Sequence, residues 1–132
     1  MCGAISVTAE RDKPVIRACH CVKCRQWTSS MFLSVPTRPG SIKVRGPAKT
    51  FRSSAWAERG FCGVCGSSLW YKTQHDGMRN LAAGLFENAA GNTLKIEYFG
   101  DSRPEGYAFE GTHRRLSNAE TQDLFDPNRE GS

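Results

Sequence analysis

The chain has 132 residues, of which 39% are hydrophobic, and a formal net charge of +5. This length suits one domain that buries roughly two-thirds of the unfolded chain's surface, and no run approaches the roughly 18 consecutive apolar residues of a membrane helix. The charge is uneven, because residues 1–52 hold ten basic and two acidic side chains, or +8, whereas residues 117–132 carry −3. A basic N-terminal half is typical of proteins that bind small anions or nucleic acid, and also of an ordinary solvated surface.

Short β-like runs, separated by turn residues, follow one another along most of the chain. Alternating or compact apolar patterns predict these strands, and residues 88–92 predict a turn. Many short strands with thirteen glycines favour a mainly-β domain of sandwich or barrel type. In chain order, the predicted strands are Gly3–Thr8, Val15–Ala18, Met31–Val35, Ser41–Val44, Thr50–Phe51, Trp56–Cys62, Leu69–Tyr71, Arg79–Leu85, Leu94–Phe99 and Tyr107–Phe109.

One helix is predicted, and it lies near the C-terminus. Ser117 or Asn118 can cap it, and Glu120 lies in its first turn. The helix reaches Phe125 and ends before Pro127, because proline cannot continue a helix. The last residues, 128–132, are expected to fray.

The start of the chain and its cysteine content point to a reducing compartment. The first ten residues have neither the basic start nor the apolar stretch of a secretory signal, so we expect a cytoplasmic protein with reduced thiols. Six cysteines among 132 residues are fewer than a disulfide scaffold has. Five of the six fall in two tight clusters, which is typical of metal ligands.

The spacing of the two clusters suggests different metal sites. Cys62 and Cys65 form a C-x-x-C pair, which can present two sulfurs to one zinc ion at about 2.3 Å. Cys19, Cys21 and Cys24 follow a C-x-C-x-x-C spacing, so three sulfurs can cap one face of an ion. A thioredoxin-type redox site would need a helix start within a βαβ unit, which this segment does not indicate.

The number of cysteines limits how these sites can be completed. Six thiolates cannot fill two closed four-cysteine sites. One closed four-cysteine site would leave two cysteines without a metal. Two three-cysteine sites would use all six, and the fourth coordination position of each zinc would then be open or filled by a ligand other than these cysteines. Structural zinc is normally closed, and catalytic zinc keeps an open position beside three protein ligands. The 19–24 cluster is therefore a candidate catalytic site, in which a substrate thiol completes the tetrahedron.

Several charged or titratable residues are candidates for roles beside the metal. In an extended segment, the side chain of His20 would point away from a metal shared by its neighbours, so we interpret it as a substrate-side residue or an ordinary, partly exposed histidine. Arg25 is a candidate for binding substrate carboxylates, since its guanidinium can form bidentate contacts, whereas Lys23 is better explained as a solvated charge. His75 and His113 lie in polar surroundings and are interpreted as ordinary histidines.

With these motifs, the sequence resembles the glutathione-dependent formaldehyde-activating enzyme family, which also includes centromere protein V. The resemblance covers about residues 1–110. It implies a mainly-β fold of the β-tent type, which we place in a zinc-binding domain over residues 1–116, followed by a short helix and an acidic tail over residues 117–132. The resembling segments are residues 2–7, 19–25, 59–69 and 81–84.

The resemblance also implies two zinc sites and a reaction. The reaction is that of an S-hydroxymethylglutathione synthase, a carbon–sulfur lyase in which a three-cysteine zinc activates the thiol of glutathione toward formaldehyde or another small aldehyde. The structural ligands carried over by position are Cys2, Cys62 and Cys65, and the catalytic ligands are Cys19, Cys21 and Cys24.

The chain departs from the family pattern at two places. The first cysteine of the family's N-terminal C-x-C pair would fall before Met1. The family's Pro-x-x-His segment is replaced here by Thr93–Tyr98, which contains neither residue. The first departure leaves the fourth ligand of the structural site open, and the second weakens the transfer of the formaldehyde reaction.

Two other interpretations stay open. One is a zinc-stabilised binding module whose basic N-terminal half contacts nucleic acid or another polyanion. The other is a catalytically inactive relative with purely structural zinc. No DNA-reading helix or stacked-aromatic RNA motif is present, so a glutathione-type conjugate is favoured over nucleic acid as the partner. One or two zinc ions per chain are expected, and a homodimer stays open. The basic side chains concerned include Arg38, Lys43, Arg45, Lys49 and Arg52.

Overall fold

The computed structural model of the protein describes residues 1–126. Within that range it contains ten short strands and two short α-helices, which confirms the predicted mainly-β class and the C-terminal helix. None of the helices in residues 1–126 is both long enough and apolar enough to cross a bilayer. The residues predicted to fray, 128–132, and the end of the predicted acidic tail lie outside the described residues.

The observed elements are short, and three short helical turns connect some of them. The strands are β1 (Ser6–Thr8), β2 (Val15–Cys19), β3 (Phe32–Val35), β4 (Lys43–Arg45), β5 (Ala48–Arg52), β6 (Ala57–Cys62), β7 (Ser68–Thr73), β8 (Arg79–Ala82), β9 (Thr93–Tyr98) and β10 (Arg114–Arg115). The helices are α1 (Val22–Thr28) and α2 (Asn118–Leu124). Ala83–Leu85 and Gly100–Ser102 are 3₁₀ turns, whereas the turn over Glu87–Gly91 is left-handed, with φ of 50° at Asn88, 49° at Ala89 and 57° at Ala90.

The chain divides into two compact units. The first unit comprises Met1–Ile16 and Ser34–Thr93. In it, strands β3, β8, β7, β6 and β5 lie side by side in that order, and β1 pairs with β4 as a separate antiparallel ribbon. Apolar side chains of the central strands form its core: β6 buries Ala57 and Cys62, and β7 buries the consecutive residues Leu69 and Trp70. The most buried of them are Ala57, Leu69, Trp70 and Leu81.

The backbone of Gly60 lies close to the indole ring of Trp70 in this core. It faces Trp70 across the antiparallel β6–β7 pair, where the register shifts between Gly60 and Phe61. A Cβ added at Gly60 would come within 2.1 Å of the indole ring of Trp70. The absence of a side chain at this position therefore lets a large aromatic residue fill the core beneath β6.

We expect Gly60→Ala to lower the free energy of unfolding by about 1–3 kcal/mol, the usual cost of an extra group in a well-packed core. Gly84→Ala is the matched control, because a Cβ there meets no atom within 4 Å. Its effect should stay within about 0.5 kcal/mol. Denaturant unfolding of both variants measures the difference, and equal destabilisation would contradict the packing argument.

The second unit comprises Arg17–Leu33 and Leu94–Ser132, and its described part ends at residue 126. Its strands follow the order β10, β9, β2, and β10 pairs with β9 in parallel, with Arg115 opposite Glu97. Helix α2 begins with a capping box in which Ser117 and Glu120 satisfy each other's backbone amides. Of the two cap residues that the sequence offered, Ser117 is the one observed.

Two expectations about secondary structure are wrong. Helix α1 was not predicted, because its seven residues are too few to show a 3.6-residue period; the Cys21 sulfur accepts a hydrogen bond from the Cys24 amide and caps it. The strand predicted over Tyr107–Phe109 is absent. There the Phe109 carbonyl accepts a hydrogen bond from Arg115 instead of entering a strand ladder. Each strand predicted up to Phe99 has an observed counterpart with ends displaced by a few residues.

Candidate metal centres and active site

Three cysteines of the first unit bring their sulfurs together, and we call them the Cys62 group: Cys2, Cys62 and Cys65. All three sulfurs lie within 4.8 Å of one another, and the Cys2 and Cys62 sulfurs are 3.8 Å apart. Ligands at about 2.3 Å in a tetrahedral zinc site are separated by about 3.8 Å. The sulfur donor set and its spacing therefore fit zinc.

The backbone around the Cys62 group favours thiolates. Cys62 ends β6, and its sulfur accepts hydrogen bonds from the Val64 and Cys65 amides at 3.4 and 3.5 Å. The chain can turn back after Cys65 because Gly66 has φ +79°. The Ser67 hydroxyl lies 3.2 Å from the Cys65 sulfur, and this hydrogen bond, together with the backbone amides of Ser67 and Cys2, lowers the pKa of Cys65 to about 5.

Cys2 differs from Cys62 and Cys65 in its solvent exposure and in the effect of its surroundings on its pKa. It is exposed, whereas Cys62 is buried. The Ala4 amide lowers the pKa of Cys2, but the neighbouring sulfurs of Cys65 and Cys62 outweigh it and raise the pKa. A cavity of about 110 Å³, lined by Cys2, Cys62 and aliphatic side chains including Ile5, adjoins the group.

Three cysteines of the second unit form a second such group, which we call the Cys24 group: Cys19, Cys21 and Cys24. Their sulfurs also lie within 4.8 Å of one another. Cys19 ends β2, Cys21 caps α1 and Cys24 lies inside the helix with 3% of its surface exposed. The strand end and the helix start therefore present all three sulfurs to one point.

Within the Cys24 group, the two neighbouring sulfurs disfavour the ionisation of Cys19 when no cation is present. The sulfurs of Cys21 and Cys24, together with burial, raise the pKa of Cys19. A divalent cation would reverse this effect, since coordinated thiols lose their protons. Three soft sulfur donors at this spacing fit zinc better than they fit calcium or magnesium, which prefer oxygen. A helix does start at Cys21, as a thioredoxin-type redox site would need. However, the sulfur of Cys19 lies with those of Cys21 and Cys24, so the group has three sulfurs rather than the two of a redox pair.

His20 lies between two members of the Cys24 group but is not part of it. Its side chain is fully buried, and its Nε2 lies 2.7 Å from Oε1 of Glu97. Oε2 of Glu97 contacts Nε2 of His113 and lies 2.9 Å from Nε of Arg115. The Phe109 ring packs 6.2 Å from each imidazole centroid.

This network corrects two interpretations from the sequence. His20 is not an exposed histidine, since its exposure is 0%. His113 is not an ordinary polar-surface histidine, because its side chain is only 2% exposed. Burial raises the pKa of Glu97, but hydrogen bonds from His20, His113 and Arg115 outweigh burial and hold the pKa below its usual range. Glu97 and Arg115 also line a cavity of about 320 Å³ in the second unit.

Arg25, the predicted substrate-binding residue, lies in α1 one residue after Cys24. It is half-buried, and its Nε is buried without a hydrogen-bond partner among the described residues. By contrast, the five basic residues that could bind a polyanion are all exposed side chains of the first unit. One of them, Arg38, pairs with Glu10 at 3.0 Å. A buried guanidinium nitrogen without a hydrogen-bond partner among the described residues, in the residue that follows Cys24, is the more specific feature.

Sequence reasoning missed Glu97 and His113. Glu97 alternates with apolar residues in β9 and shares the side of Thr93 and Lys95, so the pattern predicts an exposed carboxylate and gives no signal of its burial. The identity of its partners could not be read from the sequence, because His20 and His113 are 77 and 16 residues away from it.

Three comparisons relate the chain to known proteins. The family model of the glutathione-dependent formaldehyde-activating enzyme matches residues 1–102. A protein of Schizosaccharomyces pombe named as an uncharacterized lyase is 32% identical over 111 residues, which cover 83% of this chain and 81% of that protein. A crystal structure of a Rhodobacter sphaeroides protein matches with a TM-score of 0.57 at 19% identity, over 70% of this chain and 93% of the other, and indicates a shared fold.

Proposed function

The chain belongs to the glutathione-dependent formaldehyde-activating enzyme family, and we propose that it is a zinc-dependent carbon–sulfur lyase for glutathione adducts of formaldehyde or another small aldehyde. The observation that carries the proposal is the Cys24 group, three sulfurs gathered at a strand end and a helix start. Three protein ligands are the number typical of catalytic zinc, which keeps a fourth position for a substrate or water.

The two cysteine groups have different roles in this proposal. Cys19, Cys21 and Cys24 would hold the catalytic ion, and Cys2, Cys62 and Cys65 the structural one. A zinc ion at the Cys24 group would supply thiol activation, because coordination lowers the pKa of a bound thiol.

Besides activating the thiol, the protein needs only to bind the adduct and to offset the charge of the metal centre. In the lyase direction the carbon–sulfur bond of the adduct breaks and its electron pair goes to sulfur. The hydroxyl proton passes to solvent as the aldehyde carbonyl forms, and the thiolate takes up a proton from solvent when it is released as the thiol. Three thiolates around a divalent cation leave a net charge of −1, so a nearby cation is needed. Arg25 follows Cys24 directly in α1 and would offset this charge and bind a substrate carboxylate.

The zinc-loaded protein should therefore release formaldehyde from S-hydroxymethylglutathione. Arg25→Ala should raise KM by about 10–100-fold, the equivalent of one charge-assisted hydrogen bond of about 1.5–3 kcal/mol. Formaldehyde release, followed at varied adduct concentration, measures both expectations.

Lys23→Ala is the matched control, because Lys23 is an exposed cation two residues away in the same helix. It should leave KM near the wild-type value. No formaldehyde release from protein with two zinc ions per chain would refute the proposed function, and an equal effect of both variants would refute the role of Arg25.

A further inference from the structure

The sulfurs of the Cys62 group accept hydrogen bonds from two kinds of donor. Those of Cys2 and Cys62 accept from backbone amides of residues at most three positions further along the chain. The Cys65 sulfur lies 3.2 Å from the side-chain hydroxyl of Ser67. A backbone amide is present whatever the side chains are, whereas this hydroxyl depends on the residue at position 67. The surroundings of Cys65 can therefore be changed by one substitution that removes no sulfur.

The hydroxyl of Ser67 can donate to sulfur without giving up its other partner. A metal-bound cysteine is deprotonated and only accepts, so in the metal-loaded group the hydroxyl is the donor of the bond to Cys65. On its other side, the hydroxyl oxygen accepts a hydrogen bond from the nitrogen of Met1 at 3.4 Å. The two bonds use different parts of the hydroxyl, so they reinforce one orientation of its proton.

The backbone holds Ser67 in place independently of its hydroxyl. The Gly66 amide donates to the Cys62 carbonyl at 2.9 Å, and the Cys62 amide donates to the Ser67 carbonyl at 2.9 Å. Strand β7 then begins at the next residue, Ser68. We therefore expect loss of the Ser67 hydroxyl to leave the turn and the strand in place and to change the surroundings of the sulfur.

Small electrophiles can reach the Cys62 group. Cys2 is exposed and Cys65 is half-buried, and the cavity of about 110 Å³ beside the group is lined by Cys2, Cys62 and Ser67. Three thiolates around one divalent cation keep a net charge of −1, and the thiolate is the nucleophilic form of cysteine. A hydrogen bond from a hydroxyl stabilises the charge on sulfur and lowers its nucleophilicity.

We propose that Ser67 moderates the reactivity of the Cys65 thiolate, so that the Cys62 group holds its ion instead of reacting with the aldehyde that the lyase releases. The inference rests on the proposed function for the identity of this electrophile. In the reaction that is slowed, the thiolate electron pair adds to the aldehyde carbon and the carbonyl oxygen takes up a proton from water. The product is a neutral hydroxymethyl thioether, which is a poorer zinc ligand than a thiolate. Ser67 thus acts through a ligand rather than on the substrate.

The test is the rate at which iodoacetamide alkylates each cysteine in excess zinc, followed by peptide mass spectrometry. The thiolate displaces iodide, so the rate follows the nucleophilicity of the sulfur. Ser67→Ala should raise the rate at Cys65 by about 3–10-fold, since part of one charge-assisted hydrogen bond is expressed as nucleophilicity. Ser67→Thr keeps a hydroxyl and should react as the wild type does. Ser68→Ala is the matched control, because it removes the hydroxyl of the next residue and leaves the bond from Ser67 to Cys65 intact.

Each outcome supports or overturns a separate statement. Equal rates at Cys65 in the wild type and Ser67→Ala would overturn the proposal, and so would a rise that Ser67→Thr or Ser68→Ala shares. Elemental analysis gives the zinc content of each variant. A Ser67→Ala protein that loses its ion in excess zinc would also overturn the proposal, since the hydroxyl would then hold the metal rather than moderate the sulfur. The expected rates in a wild type that releases no formaldehyde would instead overturn the proposed function and leave the effect of Ser67 on Cys65 supported.

Discussion

Replacing Cys24 by serine should remove one of two zinc ions per chain and abolish lyase activity, while the first unit stays folded. Cys24 is the buried member of its group, with 3% of its surface exposed, so water cannot readily substitute for its sulfur. Loss of a direct ligand should cost more than the about 10–100-fold that is typical for residues behind the ligands. Elemental analysis of protein purified under reducing conditions gives the zinc content, and formaldehyde release gives the activity.

Ala18→Ser is a suitable control for this variant. Ala18 is fully buried beside Cys19, so the substitution also introduces a hydroxyl into a buried position, yet it keeps all six sulfurs. Both zinc ions and the activity should remain. A wild type that binds a single zinc ion, with about four thiols protected from titration, would contradict the two-site assignment and favour a purely structural metal.

The two cysteine groups could be predicted from the sequence to different extents. Short spacings such as Cys62 to Cys65 place two sulfurs on one turn, so local geometry alone predicts that they meet. Cys2 has no such signal, since it is 60 residues from Cys62, and only the family resemblance assigned it to that group. The structure brings the two sulfurs to 3.8 Å.

The surroundings of the Cys24 group were less predictable, because long-range packing decides them. A seven-residue helix capped by a cysteine sulfur has neither a periodic pattern nor a preferred cap residue. The parallel pairing of β10 with β9 places Arg115 opposite Glu97, and no local rule predicts a two-residue strand. The burial of His20 and His113 against Glu97 depends on this long-range strand pairing, and the sequence next to either histidine does not indicate it.

Replacing Cys62 by serine should destabilise the protein more than Cys24→Ser or Gly60→Ala does. Cys62 is 3% exposed at the end of β6, and its sulfur orders the following turn through two amide hydrogen bonds. Structural zinc contributes about 10–16 kcal/mol of folding free energy in small zinc domains, whereas a whole domain is stable by only about 5–15 kcal/mol. Loss of this ion can therefore unfold the first unit.

The measurement is thermal unfolding of zinc-loaded Cys62→Ser beside Cys24→Ser and Val64→Ala. We expect no cooperative transition for Cys62→Ser under conditions in which the other two variants unfold cooperatively. Val64 is 65% exposed and lies inside the same turn, so it controls for the turn without touching a sulfur. If Cys62→Ser instead unfolds as the wild type does and Cys24→Ser loses its transition, the structural and catalytic roles of the two groups are exchanged. Such an exchange would place the open coordination position beside the cavity lined by Cys2 and Cys62.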